Sequence, residues 1–478
     1  MSVRIRFRRF YFYRFEKWIL TIYIFIKILS TFYSSIPPDE TEILEPYSLE
    51  EFLQLKKRIS TALDILPSFR ENVSCPILFD PSDLRYPSAK AKASKWRFES
   101  SDWNFWKQFE ATPNICQTLK QTFSFFSKPL SFEEAEYPIA YGMLVYKDIK
   151  QLLYVLSAFY QPQNAYCIAI DGRSSGAFKN QMQIIQSCFP NIHVFVTKRI
   201  EYCGPQIPEA VLTCVDKLNE RKHRWEYYQY LSGVDLPLKT NLEMVRIFKA
   251  LNGTFNAEVT LVNSYRYAKS QFSKPPLPLW KSSLSATFSR ESANIIAKSP
   301  TTFMLLLYLR HTRCSDETLW ATLGGNPDYI PMPGGFSAIE FYSKILSDLY
   351  GSTKSSLSPI PSTSKQPFPL RSYYISRYQV WDGKDELGTD LKCAGNFLKE
   401  SCVFGIGDLP NLVIRPEIVA HKFYVDKDPA AFFCFYEKIR ERALNYLNQQ
   451  SFDASYYSEL PQVQLSKGKS LDQVKFFF

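Results

Sequence analysis

The feature that most constrains the fold of this 478-residue chain is a segment in which strand and helix patterns alternate. Largely apolar runs predict three strands, a buried one at residues 137–146 and two more at residues 165–170 and 192–196. Two helical patterns lie between these runs, and Asp148 stands at the capping position of the first. Such alternation predicts a parallel sheet with right-handed crossovers, so the expected fold class is α/β.

Asp171 directly follows the second predicted strand. Ligands in parallel α/β sheets bind beyond the carboxyl ends of the strands, so this carboxylate is a candidate for holding a nucleotide. The alternative is a loop carboxylate that caps Ser174 or Ser175. The pattern alone leaves both interpretations open.

The amino terminus has the pattern of a membrane anchor. Residues 1–30 carry +6 of the net charge of +10, and the rest of the chain is too weakly basic for a general phosphate-binding surface, which excludes nucleic acid. Residues 18–33 are apolar apart from Lys27 and follow the basic stretch, as the positive-inside rule predicts for a type II anchor. A cleaved signal peptide and an ordinary buried helix are the alternatives.

The ten cysteines favour disulfides over a metal site. None forms a C-x-x-C pair, and the four histidines are scattered, which argues against zinc. In a luminal compartment an even, widely spaced set of cysteines is typical of disulfides. The sequons at Asn72 and Asn252 would be glycosylated there.

Two acidic motifs are candidates for chemistry. Asp316 and Glu317 open a predicted amphipathic helix, where Glu317 is a candidate catalytic group and Ser315 or Asp316 a candidate helix cap. Asp426 and Asp428 form an Asp-x-Asp, a pattern that can hold a divalent metal, but they also precede a predicted helix, which favours capping.

Six blocks of the chain resemble the core-2/I-branching N-acetylglucosaminyltransferase family, glycosyltransferase family 14, over roughly residues 75–445. The blocks are residues 160–171, 188–192, 231–243, 315–322, 402–408 and 421–423. The Tyr-rich composition is similar to that of the nematode members of the family. The resemblance implies a variant of the GT-A fold with a Rossmann-like nucleotide-binding sheet. It also implies an inverting reaction that uses a UDP-sugar and needs no metal or other cofactor.

The resemblance also implies roles for particular residues. Glu317 matches the general base, and Lys422 matches a cation that binds the diphosphate. Lys399 stands where the branching enzymes often carry arginine, so the charge is kept but the bidentate fork is lost. Asp171 and Asp235 match donor-site positions.

The acceptor site and the disulfides are likewise carried over from the family. The acceptor candidates are Glu258, Arg266, Tyr378 and Trp381. The implied disulfides are Cys75–Cys434, Cys116–Cys188, Cys167–Cys214 and Cys393–Cys402. Cys203 and Cys314 have no family counterpart, so a free thiol and an additional bridge are both open.

The expected organisation has five parts. They are a cytosolic tail (1–17), a transmembrane anchor (18–33), a luminal stem (34–74), a glycosyltransferase domain (75–450) and a polar carboxyl-terminal tail (451–478). The expected protein is a Golgi membrane enzyme that transfers GlcNAc in a β1,6 linkage from a UDP donor to a core-1 type O-glycan. The alternatives are a related UDP-xylose or UDP-glucose transferase and an inactive luminal glycan-binding protein.

Overall fold

A five-stranded sheet forms the centre of the fold, and its strands lie side by side in the order β3 (Ile192–Val196), β2 (Ala165–Ile170), β1 (Ile139–Val145), β4 (Tyr227–Ser232) and β8 (Thr287–Ser289). The first four of these strands are mutually parallel, and β8 runs antiparallel to β4. The structure is a computed structural model that describes residues 43–98, 102–267, 274–351, 373–383, 392–445 and 451–474. The predicted α/β class with a parallel sheet is therefore confirmed.

The strands of the described residues include short ones outside the central sheet. They are β1 (Ile139–Val145), β2 (Ala165–Ile170), β3 (Ile192–Val196), β4 (Tyr227–Ser232), β5 (Asp235–Pro237), β6 (Thr260–Leu261), β7 (Trp280–Lys281), β8 (Thr287–Ser289), β9 (Tyr378–Gln379), β10 (Asn396–Leu398), β11 (Ser401–Val403) and β12 (Val419–His421).

Helices cover both faces of the sheet and continue to the carboxyl-terminal region. Before β4 they are Leu49–Ser60, Phe69–Asn72, Cys75–Leu78, Tyr86–Ala93, Asp102–Glu110, Ile115–Thr122, Phe132–Glu136, Ile149–Phe159, Gly176–Cys188 and Gln206–Glu220. After β4 they are Asn241–Leu251, Arg290–Lys298, Pro300–Leu309, Leu319–Gly324, Ala338–Gly351, Leu409–Leu412, Pro429–Ala443, Ser455–Ser458 and Pro461–Ser466.

Strand β2 alternates large and small side chains between two apolar cores. Tyr166 and Ile168 belong to a core rich in aromatic residues on one side of the sheet. The alternate positions carry small side chains that belong to the other core, among them Cys167, which is bonded to Cys214 of the helix Gln206–Glu220. Successive side chains of a strand point to opposite faces, so this alternation lets that helix approach the sheet closely.

A second, three-stranded sheet stands beside the ends of the central strands. Its order is β5-β12-β9, with β12 antiparallel to β5 and parallel to β9. In its register His421 lies opposite Asp235 on one side and Gln379 on the other. Residues from three distant parts of the chain therefore meet in one row.

Several sequence predictions can be compared directly with the fold. Strand β2 has the predicted bounds, and Asp148 caps the helix Ile149–Phe159 by accepting a hydrogen bond from the backbone N–H of Gln151. The predicted anchor at residues 18–33 lies outside the described residues. Within the residues described, no helix is both long enough and apolar enough to cross a bilayer.

The segment predicted as a polar tail is part of the fold as far as residue 474. Tyr456, Tyr457 and Val463 are buried in the aromatic-rich core, and the Tyr457 hydroxyl donates to the carbonyl of Pro416 at 2.7 Å. Most of the polar residues of this segment are exposed, although Gln462 and Gln464 are buried. Its sparse aromatic and aliphatic side chains point inward.

Five disulfides cross-link the described residues. Four are the pairs that the resemblance implies: Cys75–Cys434, Cys116–Cys188, Cys167–Cys214 and Cys393–Cys402. The fifth joins Cys203 to Cys314, so neither of these residues is a free thiol. Of the two sequons, Asn252 is exposed at the end of the helix Asn241–Leu251, and the Asn72 side chain donates to the carbonyl of Ser68.

Candidate active site

A cavity of about 510 Å³ opens beside the carboxyl end of β4 and the second sheet. Tyr230 and Ser232 of β4 contribute to its wall. The order β3-β2-β1-β4 reverses direction between β1 and β4, and such a reversal is where ligands bind in open parallel sheets. The acidic and basic residues in its wall are Glu258, Arg266, Lys281, Asp316, Glu317, Arg377, Asp382, Lys399, Glu400, His421 and Lys422.

Glu317 lies in a 3₁₀ turn, Ser315–Glu317, immediately before the buried helix Leu319–Gly324. The turn is fixed by its backbone, because Ser282 N–H donates to the Glu317 carbonyl at 2.7 Å and Glu317 N–H donates to the carbonyl of Cys314 at 3.1 Å. The Glu317 carboxylate forms an ion pair with Arg266, with 2.7 Å between Oε2 and Nη2. Neither Ser315 nor Asp316 caps the helix through its side chain, so the capping interpretation is not supported.

Asp316 is the second carboxyl group at this end of the cavity. Its Oδ1 is buried and has no hydrogen-bond partner in the described part of the chain. Burial, together with the negative charge of Glu317, raises the pKa of Asp316 to about 7. The two neighbouring carboxyl groups therefore differ in environment, since Glu317 is paired with Arg266 and partly exposed.

The raised pKa of Asp316 predicts a pH-dependent stability. Between about pH 4, where an unfolded aspartate titrates, and pH 7, the folded chain holds one proton more than the unfolded chain, so stability falls as the pH rises. Asp316→Asn removes this loss. The free energy of unfolding of Asp316→Asn minus that of the wild type is therefore expected to be about 2 kcal/mol larger at pH 8 than at pH 5.

Chemical denaturation at the two pH values measures the difference. The exposed Asp328→Asn is the matched control and should show no such change. A constant difference for Asp316→Asn across this range would contradict the assigned burial.

Two lysines lie at another part of the cavity wall. Lys422 Nζ donates to the carbonyl of Leu398 at 2.8 Å, and Lys399 Nζ lies 4.9 Å from the centre of the Tyr202 ring. Burial and the neighbouring Lys399 lower the pKa of Lys422 to about 8. The hairpin of β10 and β11 thus brings two cations together, an arrangement suited to an anionic ligand.

Asp171 lies at the carboxyl end of β2, outside the cavity wall. Its carboxylate accepts hydrogen bonds from the backbone N–H groups of Arg173 and Ile200, at 2.9 and 3.1 Å, and forms an ion pair with the Arg173 side chain. It caps neither Ser174 nor Ser175; the helix Gly176–Cys188 is capped by the Ser175 hydroxyl. Asp171 organises the segment that leads to Tyr202 and Cys203 in the cavity wall.

Asp235 is fully buried behind the wall of the cavity. Its carboxylate lies 2.7 Å from His421 Nδ1 and 3.2 Å from Arg377 Nη2. It also accepts from the backbone N–H and the hydroxyl of Ser232, at 2.7 and 2.8 Å. Asp235 therefore fixes the positions of His421, Arg377 and Ser232 through these contacts. These three residues line the cavity, and Asp235 itself does not.

The structure separates the four acceptor candidates. Glu258, Arg266 and Trp381 line the cavity. Tyr378 lies in the core, where its ring stacks on Phe404 with 5.5 Å between centroids. Trp381 is 43% exposed, so part of this aromatic side chain is accessible from the cavity.

The Asp-x-Asp motif, Asp426 and Asp428, lies at the beginning of a helix and supplies its cap. The Asp428 carboxylate accepts from the backbone N–H groups of Ala431 and Ile406, at 3.0 and 2.9 Å, and so caps the helix Pro429–Ala443. Asp426 is exposed beside Lys427. The close group of Cys393, Cys402 and Asp408 is no better as a metal site, because both cysteines are in a disulfide.

Sequence reasoning missed the roles of Arg377 and His421. Each stands in or beside a strand of two or three residues, too short for a periodic pattern. The sequence offered one indirect indication of these two residues. Asp235 lies in an apolar stretch, and a buried carboxylate needs polar or charged partners, although only the folded chain shows which residues they are.

The comparisons with known proteins agree with the geometry. The family model for core-2/I-branching enzymes matches residues 139–341. A human beta-1,3-galactosyl-O-glycosyl-glycoprotein beta-1,6-N-acetylglucosaminyltransferase is 31% identical over 354 residues, which are 70% of this chain and 76% of the relative. A Bos taurus enzyme of the same name with the number 3 is 28% identical over 351 residues, covering 69% and 73%. A bovine herpesvirus 4 enzyme is 29% identical over 350 residues, again covering 69% and 73%.

The α/β fold and the carboxylate- and lysine-lined cavity thus belong to a glycosyltransferase. The chain is a member of the core-2/I-branching enzyme family.

Proposed function

We propose that this chain transfers GlcNAc from UDP-GlcNAc to an O-glycan of the core-1 type and forms a β1,6 linkage. The observation that carries the proposal is that Glu317, Lys399 and Lys422 line the same cavity. The names of the relatives support this donor and this linkage. The central parallel sheet, with the cavity beside the carboxyl end of β4, is consistent with a variant of the GT-A fold.

Glu317 acts as the general base. In a single displacement the acceptor hydroxyl attacks the anomeric carbon of the donor and gives its proton to the Glu317 carboxylate. The new bond between the hydroxyl oxygen and the anomeric carbon forms as the bond to the phosphate oxygen breaks, and UDP leaves with the electron pair. Attack from the face opposite UDP inverts the anomeric configuration.

Lys399 and Lys422 stabilise the departing UDP. Negative charge develops on the phosphate oxygen as the glycosidic bond breaks, and fixed cations in a partly buried site stabilise it without reorganisation. Lys422 is only 7% exposed, so its charge is weakly screened. These fixed charges support a reaction that needs no metal, and Asp428 is already engaged in helix capping.

Arg266, Glu258 and Trp381 form the acceptor side. Arg266 orients Glu317 through their ion pair, and its Nε and Nη1 atoms are buried without a partner among the described residues. Acceptor hydroxyl groups would satisfy these donors. The partly exposed aromatic ring of Trp381 suits stacking against a sugar ring.

The cellular setting is part of the same proposal. The five disulfides support an oxidising compartment. We place the enzyme in the Golgi membrane as a single-pass type II protein, anchored by residues 18–33 with the catalytic domain in the lumen.

The proposal is tested by transfer assays with the purified full-length chain in detergent. UDP-GlcNAc, UDP-xylose, UDP-glucose and UDP-galactose are each offered with a Gal-GalNAc acceptor, with and without EDTA. Transfer of GlcNAc at the same rate in EDTA is expected.

Other outcomes contradict separate parts of the proposal. Transfer of another sugar would refute the donor assignment, and loss of transfer in EDTA would refute the metal-free mechanism. If no donor is used while UDP still binds, the result would favour a glycan-binding protein without turnover.

A further inference from the structure

His421 is held in one orientation at the edge of the cavity. Its position in β12, directly opposite Asp235 of β5, brings Nδ1 to 2.7 Å from Asp235 Oδ1. Asp235 is itself fixed by Ser232 and by Arg377. The imidazole ring therefore cannot turn without breaking a buried network.

This network also determines which nitrogen of His421 carries the proton. Burial opposes ionisation of Asp235, but Arg377 and His421 hold its pKa below its ordinary value, so the carboxylate is an acceptor. Burial and the positive charge of Arg377 lower the pKa of His421 to about 4, so the ring is neutral at neutral pH. With the hydrogen on Nδ1 donated to Asp235, Nε2 presents a lone pair.

The Nε2 atom is available to a ligand. It makes no hydrogen bond within the described part of the chain, and the His421 side chain keeps 16% of its exposure while lining the cavity. Its proton affinity is too low for a general base at neutral pH, but a lone pair of this kind accepts a hydrogen bond from a hydroxyl or amide group.

The location of His421 identifies the ligand group. The next residue, Lys422, lies in the proposed diphosphate site, and Glu317 lies in the same cavity. In a displacement at the anomeric carbon the transferred sugar stands between the departing phosphate and the base. Resting on the proposed function, we propose that His421 Nε2 accepts a hydrogen bond from a hydroxyl of the transferred sugar, with Asp235 as the positioning residue.

This contact makes His421 a determinant of donor specificity. A site that hydrogen-bonds a substrate hydroxyl discriminates against an analogue that lacks it, because its own polar atom is then left unpaired. UDP without the sugar does not make the contact. Recognition of the sugar is thereby separated from recognition of the nucleotide.

The test compares His421→Leu with the wild type on UDP-GlcNAc and on its 3-, 4- and 6-deoxy analogues, with the Kd of UDP measured by calorimetry. The wild type is expected to lose at least tenfold in kcat/KM with one analogue. His421→Leu is expected to lose a similar factor with UDP-GlcNAc and nothing further with that analogue, while the Kd of UDP changes less than twofold. His311→Leu, outside the cavity wall, is the matched control.

Two results would overturn the assignment. One is an affinity for UDP that falls in His421→Leu by as large a factor as kcat/KM for UDP-GlcNAc, and the other is a discrimination among the analogues that is the same in His421→Leu as in the wild type. His421→Asn, a shorter polar side chain, serves the same comparison if the leucine variant does not fold. If the wild type uses a UDP-sugar other than UDP-GlcNAc, the proposed donor is wrong. The role of His421 is then tested by the same comparison with the deoxy analogues of the UDP-sugar that the enzyme uses.

Discussion

Replacing Glu317 with glutamine is expected to reduce kcat for sugar transfer by about 10³-fold. Glutamine has nearly the same shape, but its amide cannot take the proton of the acceptor hydroxyl. The Kd for UDP should stay within about threefold of the wild-type value, because the lysines proposed to bind the diphosphate are unchanged. Steady-state transfer assays and calorimetry with UDP measure the two quantities.

Because Glu317 also forms an ion pair with Arg266, the effect of losing the base must be distinguished from the effect of losing this ion pair. Removing the carboxylate charge also leaves Arg266 without its 2.7 Å partner, which would raise the KM for the acceptor. A loss confined to KM would assign Glu317 to acceptor binding and contradict its role as the base. Glu340→Gln, on an exposed helix surface, should leave both constants unchanged.

Replacing Lys422 with alanine is expected to weaken UDP binding by about 10- to 100-fold, the range for a lost hydrogen bond to a charged group. The wild-type affinity should also depend on pH. The pKa of Lys422 is lowered to about 8, so the cation is lost as the pH rises through this value and UDP binds more weakly. The Kd for UDP is expected to rise about fivefold between pH 7 and pH 9.

Lys422→Arg separates the effect of charge from that of shape. Arginine stays protonated throughout this range, so the pH dependence of the Kd should disappear in this variant. Lys298→Ala, at an exposed helix end, is the matched control and should bind UDP as the wild type does. A wild-type Kd that is flat from pH 7 to pH 9 would contradict the placement of Lys422 against the diphosphate.

The central sheet could be predicted because its signal is local. Strands β1 and β2 are continuous apolar runs, and a strand buried on both faces has this pattern wherever it occurs. Strand β3 lies at the edge of the sheet, where only alternate side chains are buried. The capping role of Asp148 was equally local. By contrast, the burial of residues 451–474 depends on a few aromatic side chains in a polar segment, which composition conceals.

The site could be predicted only in part, because its residues meet through long-range pairing. Glu317, Lys399 and Lys422 were identified by resemblance, and the fold brings them to one cavity. The Cys203–Cys314 disulfide joins residues 111 positions apart, a pairing that spacing cannot specify. Asp235 was assigned to the donor site, but the second sheet buries it and presents His421 instead.

The fifth disulfide has a structural consequence for the site. Cys203 lines the cavity beside Tyr202, and Cys314 directly precedes the turn that holds Glu317. Cys314 N–H also donates to the carbonyl of Cys203 at 3.2 Å. The cavity wall near the lysines is thus joined covalently to the segment that carries the candidate base.

The central claim is that Glu317 drives a single displacement at the anomeric carbon of UDP-GlcNAc. The most direct measurement is the NMR spectrum of the product formed from UDP-GlcNAc and a Gal-GalNAc acceptor. The account predicts one new sugar in the β configuration, attached to O6 of the GalNAc. An α-linked product would contradict it, because retention of the donor configuration cannot arise from one in-line displacement.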